Sequence, residues 1–237
     1  YDNEGLNITL PFSGETFAIT SGFESFNAQR KVGSEITTKD NKAFYVDTEI
    51  QANAKTIISA GARHEQVDYK YKDASALTTD ESLNAYDIGV NYAFNEQLSI
   101  FSNFNHSFQA PDVDRFFYLD FGAGKTVFNK FLEPAKSNTL NIGFTHQTKQ
   151  NTLSLTSYYS KVENELVFNP STFLNDNIDN SKKYGLELQN TMQLNDKISA
   201  SLTYNYVKAE IGSNAQGFTD GNDLSLIHIS EPTRHSI

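Results

Sequence analysis

Along most of this chain the side chains alternate between apolar and polar with a period of two, a pattern that specifies half-buried β-strands and not helices. Tyr184, Leu186, Leu188, Met192 and Leu194 alternate with Gly185, Glu187, Gln189, Thr191 and Gln193. Ile198, Ala200, Leu202, Tyr204 and Tyr206 alternate with Ser199, Ser201, Thr203 and Asn205. Tyr86, Ile88, Val90, Tyr92 and Phe94 do the same against Asp87, Gly89, Asn91 and Ala93. The pattern predicts strands over 15–28, 42–54, 56–72, 83–95, 97–110, 136–148, 151–167, 180–194 and 197–210, with a weaker one at 5–11. Many of these exceed the roughly 5–6 residues usual in soluble sheets. They reach or pass the roughly 9–11 residues with which a tilted strand crosses a bilayer.

The connections narrow the fold further. Short turns are read at Asn53-Ala54-Lys55, Asn95-Glu96-Gln97, Lys149-Gln150-Asn151 and Asn195-Asp196-Lys197. Long polar connections are read at 29–41, 73–82, 111–135, 168–179 and 211–223, and short and long alternate throughout. Outer-membrane barrels sort their connections in this way, with short periplasmic turns at one end and longer extracellular loops at the other. A soluble sandwich has no reason to. The expected class is therefore all-β: an antiparallel up-and-down meander forming a curved partial wall of a large outer-membrane β-barrel over residues 1–223. Aromatic residues make up 13% of the chain, and Tyr69, Tyr71, Phe94, Tyr204 and Tyr206 lie near strand ends, where interfacial girdles would hold them.

Charge and composition exclude several functions. A net charge of −10 argues against a nucleic-acid partner, which needs clustered Lys and Arg. The chain has no Cys, so disulfides, thiolate catalysis and Cys-based zinc sites are ruled out. No apolar run approaches the roughly 18 residues of a membrane helix. The mean hydropathy of −0.49 is still compatible with a barrel, whose strands alternate lipid-facing and lumen-facing residues. The chain starts at Tyr1 without a signal peptide, so the natural N-terminus is expected to lie upstream.

The last residues depart from the pattern. Leu224-Ser225-Leu226-Ile227-His228-Ile229-Ser230-Glu231-Pro232-Thr233-Arg234 reads, all eleven residues in order, as the translation of a transposase sequencing adapter. Residues 224–237 are accordingly expected to be a non-native tail, and the natural strand order to continue beyond Asp223.

Three motifs carry a family resemblance. Ser107-Phe108-Gln109-Ala110-Pro111 resembles the Gly-Phe-Arg-Ala-Pro strand end of TonB-dependent receptors. Phe131-Leu132-Glu133-Pro134-Ala135-Lys136-Ser137 resembles the family's Leu-Lys-Pro-Glu-Lys-Ser box, and Asn177-Ile178-Asp179-Asn180 followed by Tyr184-Gly185-Leu186-Glu187-Leu188 resembles its later Asn-(x)-Gly-x-Glu strand signature. Gln109 stands where the family usually has Arg, and Ala135 where Glu is common. The resemblance spans about 15–223. It implies an active importer of scarce, large nutrients such as ferric siderophores, haem or cobalamin, energised by the TonB complex through a plug domain. The plug is not within these residues. It also implies a barrel of about 22 strands with a plugged lumen, set in outer-membrane lipid.

Candidate sites follow from the longest connection. Phe116, Phe117, Tyr118, Phe121, Phe128 and Phe131 crowd one loop. Exposed loop aromatics of that number either pack together or bind something. Phe116, Phe117, Tyr118, Phe121 and Phe128 are read as ligand contacts, with Lys125 (and Lys130) to attract an anionic siderophore. Asp112, Asp114 and Asp120, beside Arg115, read as solvated groups, with cation binding or loop ion pairing as alternatives. His64, His106 and His146 are scattered over different strands and read as strand histidines, not haem or metal ligands. Asp220, Asn222 and Asp223 faintly resemble a calcium loop but lack its full pattern. No catalytic motif and no cofactor site is present: there is no Gly-x-Ser-x-Gly, phosphate loop or His-Glu-x-x-His. A passive porin would share the strand pattern without the three motifs. A soluble β-rich binding module would need a closed core.

Overall fold

Ten strands run antiparallel in sequence order in the computed structural model, which describes residues 1–72, 76–122, 124–169 and 172–212. They are β1 (Asp2–Ser13), β2 (Phe17–Val32), β3 (Glu35–Asn53), β4 (Thr56–Lys72), β5 (Ala76–Ala93), β6 (Leu98–Gln109), β9 (Ala135–Gln147), β10 (Asn151–Asn169), β11 (Leu174–Asn195) and β12 (Ile198–Ile211). Between β6 and β9 the chain makes a short 3-10 helix, Val113–Phe116, and a small hairpin of β7 (Phe117–Asp120) and β8 (Lys125–Phe128). The sheet is an unclosed meander in which each large strand pairs with its neighbours in the chain, β6 pairing with β9 across the long loop. The adapter-like tail and Asp220, Asn222 and Asp223 lie outside the described residues.

The short turns are set by side chains. Asn53 Oδ1 accepts from Lys55 N at 2.9 Å, Asn95 Oδ1 from Gln97 N at 2.9 Å and Asn195 Oδ1 from Lys197 N at 2.9 Å. In each, an Asn side chain stands in for the backbone carbonyl of a turn. At the opposite end the structure differs from the sequence reading. Most of 29–41 and 168–179 is paired strand, not loop: β2 and β3 are joined through Gly33-Ser34 alone, with Gly33 at φ +61°, and β10 and β11 stay paired to Asn169 and Leu174. A backbone ladder needs no apolar side chains. Beyond the membrane the apolar alternation fades, and the strands continue.

The two faces of the sheet are inverted relative to a soluble protein. One face carries Ile8, Phe44, Ile88, Ile142 and Leu202, all exposed. Register places Ile8 opposite Phe23 and Phe23 opposite Phe44, so this is one continuous apolar surface. The other face carries Glu24, Tyr45, Arg63, Asp47, Asp87, Asn103 and Asn141, as a wet lumen requires. On it Arg63 bridges Glu24 and Glu65, each at 2.6 Å. Aromatic rings there lie flat over glycines: a Cβ on Gly143 would meet the Phe101 ring at 2.7 Å, and one on Gly185 the Tyr158 ring at 2.7 Å. The apolar core lies instead at the extracellular end, where Val67, Tyr69, Tyr71 and Leu83 meet the long loop.

Candidate functional site

Among the described residues the long connection is the one between β6 and β9, and its described residues fold over the lumen-side face of the β3–β5 ribbon. Val67, Tyr69 and Tyr71 lie four, six and eight residues beyond Arg63 and so share its face. The Phe116 ring stands edge-on to Tyr69 at 5.1 Å and to Phe131 at 5.2 Å. Tyr71 stacks on Phe128 at 4.1 Å, with the planes 10° apart. The Arg30 guanidinium covers the Phe117 ring at 3.9 Å and pairs with Asp114 at 2.9 Å.

The motif residues hold the two ends of this loop in place. Phe108 and Gln109 lie opposite Lys136 and Ala135 at the top of the β6–β9 pair, and Ser107 Oγ meets Ser137 Oγ at 2.7 Å. At the first end Tyr69 donates to the Pro111 carbonyl at 2.7 Å, and Lys39 donates to the Ala110 carbonyl at 3.3 Å and pairs with Asp112 at 3.5 Å. Burial pushes the Tyr69 phenol well above its ordinary range, aided by the nearby Asp112, Glu65 and Glu81 carboxylates, so it stays a neutral donor. Burial pulls the Lys39 ammonium down, and Asp112 and Glu65 push back against it. At the second end Asn177 Oδ1 accepts from Glu133 N at 3.0 Å while Asn177 Nδ2 donates to Glu133 O at 2.9 Å and to Asn164 O at 2.8 Å. Asn164, in the left-handed region at φ 54°, donates from Nδ2 to Glu133 at 2.7 Å. Pro111 and Pro134 are buried at these anchors. Gly185 and Glu187 lie apart, lower on β11, facing the lumen.

The aromatic candidates divide into two groups. Phe116, at 0% exposure, and Phe117 are packed inside the loop core, and Phe128 lies on Tyr71. Tyr118 is half-buried, while Phe121 is 72% exposed and Lys125 is exposed opposite Asp120 in the β7–β8 hairpin. Phe121 meets Phe173 edge-on at 5.7 Å, and Phe173 meets Phe168 at 6.4 Å. Phe117, Tyr118, Leu119, Phe121, Phe168, Phe173 and Asn175 line an open cleft of about 220 Å³. The strand-tip residues Phe168 and Phe173 escaped sequence reasoning because they lie about 50 residues from the loop in the chain. An exposed Phe beside a turn was the only available signal. Asp112 and Asp114 make the loop ion pairs described above, Asp120 Oδ1 accepts from Gly122 N at 2.9 Å, and Lys130 pairs with Asp176 at 2.7 Å. His64 and His106 each meet a neighbouring Asn, Asn84 and Asn138, at 2.9 Å on the lipid-facing side. Among the described residues no group of three His, Asp or Glu side chains is arranged to hold a metal ion.

An apolar exterior, a polar interior, short turns at one end and tall ribbons at the other define an outer-membrane β-barrel wall. The family described as TonB dependent receptor-like, beta-barrel matches residues 5–230, and the chain belongs to it. Its members are bacterial outer-membrane transport proteins, not enzymes. The chain is 29% identical over 120 residues to the TonB-dependent heme receptor A of Haemophilus influenzae, a match covering 46% of this chain and 15% of that protein. Among solved structures, Copper transporter OprC superposes with a TM-score of 0.73 at 13% identity, over 89% of this chain and 38% of that one. The ferric-catecholate import receptor Fiu of E. coli K12 superposes with a TM-score of 0.66 at 18% identity, over 92% of this chain and 39% of that one. The chain thus spans well under half the length of these relatives.

Proposed function

We propose that this chain forms part of the wall and extracellular vestibule of an active importer that takes up a scarce iron-containing nutrient, a ferric siderophore or a similar chelate. Uptake is energised by TonB through a plug domain of the kind the family implies. The observation that carries the reading is the open cleft that Tyr118 and Phe121 of the anchored loop form with the exposed Phe168 and Phe173 of the β10–β11 tip, with Lys125 exposed in the same hairpin as Tyr118. A planar, anionic aromatic chelate stacks on such rings and is drawn by the lysine. Haem fits the same cleft chemically, and the resemblance to a heme receptor supports including it among the ligands tested. The absence of His from residues 111–135 favours the siderophore.

The test is iron-limited growth and binding with the full receptor, using a panel of ferric siderophores and haem. Alanine at Phe121 and Phe173 is expected to weaken binding of one panel member at least tenfold. Loss of TonB should abolish uptake while leaving binding intact. Uptake that persists without TonB would establish a passive pore, and unchanged binding in the double variant would remove the cleft from the site.

A further inference from the structure

The lumen face of the sheet divides into charged and uncharged parts. Every second residue faces the lumen along β6 from Ser99 to Ser107, along β9 from Ser137 to Thr145 and along β10 from Ser154 to Val162. Each of these is Ser, Thr, Asn, Gly, Phe, Tyr or Val. Lys136, Lys161 and Glu163 of the same strands fall on the opposite parity. Three adjacent strands therefore present a stripe without formal charge, from the short turns up to the level of the long loop.

The stripe is also smooth. Its hydroxyls bond to one another across strands, Ser107 with Ser137 at 2.7 Å, Thr139 with Ser160 at 2.8 Å and Thr145 with Ser154 at 3.1 Å. The Phe101 ring lies over Gly143 and the Tyr158 ring over Gly185, so both aromatic side chains follow the wall. Asn103 and Asn141 stand opposite each other, with Asn105 one row above. The side-chain amides of Asn105 and Asn141 make no hydrogen bond to another described residue.

Charge returns on both flanks. Asp47 and Asp87 lean over Gly61 in the row that continues to Asn105, and Glu187 stands opposite Thr156. Among the described residues none of these three carboxylates pairs with Lys or Arg. Arg63, two residues above Gly61, is taken up by Glu24 and Glu65, and Lys183, opposite Ser160, by Glu165. The aromatic cleft stands at the upper end of the uncharged strands: its loop leaves β6 and returns on β9, and its other wall is the β10–β11 tip.

We propose that an imported chelate passes down the wall along β6, β9 and β10, between this stripe and the plug. A moving ligand needs contacts favourable enough to enter and weak and numerous enough to leave. Neutral amides and hydroxyls supply them, with Asn105 and Asn141 the freest to exchange hydrogen bonds. Asp47, Asp87 and Glu187 repel an anionic chelate from either side and keep it on the stripe. The inference rests on the active-import reading and adds to it the part of the wall that the chelate touches.

The experiment uses the full receptor in cells, in a background without Cys, which this chain already lacks. Single cysteines replace Asn141 on the stripe, and Ser59 and Val207 outside it on the same cross-strand row. A membrane-impermeant maleimide is added outside while the cells are supplied with a ferric catecholate or, in a second series, haem. N141C should label about tenfold faster with TonB than without it, whereas S59C and V207C should change little. The adduct on N141C should stop uptake, measured on each variant before and after labelling, and leave binding intact. Equal labelling gains at the three positions would overturn the proposal, as would no gain at N141C or undiminished uptake after its labelling. If the unsubstituted receptor shows no TonB-dependent uptake of either compound, the import reading fails and the path with it. Uptake with the wrong labelling pattern sinks the path alone.

Discussion

Truncation of Phe116 to alanine should release the long loop without unfolding the wall beneath it. Phe116 is fully buried, and its ring makes edge-on contacts with Tyr69 and Phe131. Removing a buried Phe side chain costs about 3–5 kcal/mol in transfer and cavity terms. The native loop and its opened form differ by that burial, so the cost falls on local opening. About 4 kcal/mol corresponds to roughly a thousandfold more open loop, or to complete loss of protection if the loop's own stability is smaller. The membrane strands keep their ladder hydrogen bonds and their lipid contacts in either form.

Hydrogen exchange of the full receptor in detergent micelles reads this directly. Amides of β7 and β8, and Asn129 N, which donates to Phe116 O at 2.8 Å, should lose protection. Amides of β9 and β10 near the short turns should not change. Phe121→Ala, at an exposed ring of the same loop, is the control and should leave exchange unaltered. The reasoning is refuted if the F116A loop exchanges at the wild-type rate, or if protection falls equally in β9 and β10. The first outcome would mean that the aromatic cluster does not hold the loop. The second would mean that loop and wall open as one unit.

Three further outcomes are expected. Asn177→Ala removes three hydrogen bonds that clamp Glu133 and Asn164, so it should lower the loop's opening free energy by about 2–3 kcal/mol, read by the same exchange experiment at residues 129–134. Gly185→Ala drives a methyl group into the Tyr206 carbonyl oxygen and the Tyr158 ring, and should cost about 1–3 kcal/mol of folding into lipid vesicles; the larger part of that cost should persist with Tyr158→Ala, because the carbonyl cannot yield. Ile142→Arg places a charge on the exposed apolar face, and should destabilise vesicle-folded receptor by about 2–4 kcal/mol, whereas Asn141→Arg, one residue along on the lumen face, should cost little.

The membrane-crossing part of the fold was legible because a bilayer and a lumen impose opposite requirements on alternate residues. Tyr86 to Phe94, or Ile198 to Tyr206, can satisfy both only as strand. The extracellular part was not legible in the same way. Residues 29–41 are mostly polar, and a polar run looks the same whether it is a loop or a paired ribbon. Only Gly33 hinted at the tight turn, and its positive φ is a property of one residue. The long loop was found by its aromatics, but not their division into packed and exposed. Phe116 and Phe121 are the same residue type five positions apart, and only the ribbon face of Tyr69 and Tyr71 decides which is buried.

The motifs that carry the resemblance gain a physical meaning here. Two of the three stand where the chain leaves and re-enters the wall around the long loop. Pro111 has a carbonyl held by Tyr69, and Glu133 has backbone N–H and C=O held by one Asn177 side chain. A long loop set above a lumen keeps its place only if its two ends cannot drift. Gln109 in place of Arg is tolerable on that account, because Gln109 is exposed and the anchoring uses the neighbouring carbonyls of Ala110 and Pro111, which any side chain at 109 leaves in place. Fixed loop ends on an alternating wall also explain how a wall this similar in shape to a copper transporter and to a ferric-catecholate receptor can share so little sequence with either. The barrel constrains only the alternation and the anchors. The exposed cleft residues Phe121 and Phe173 answer to neither constraint.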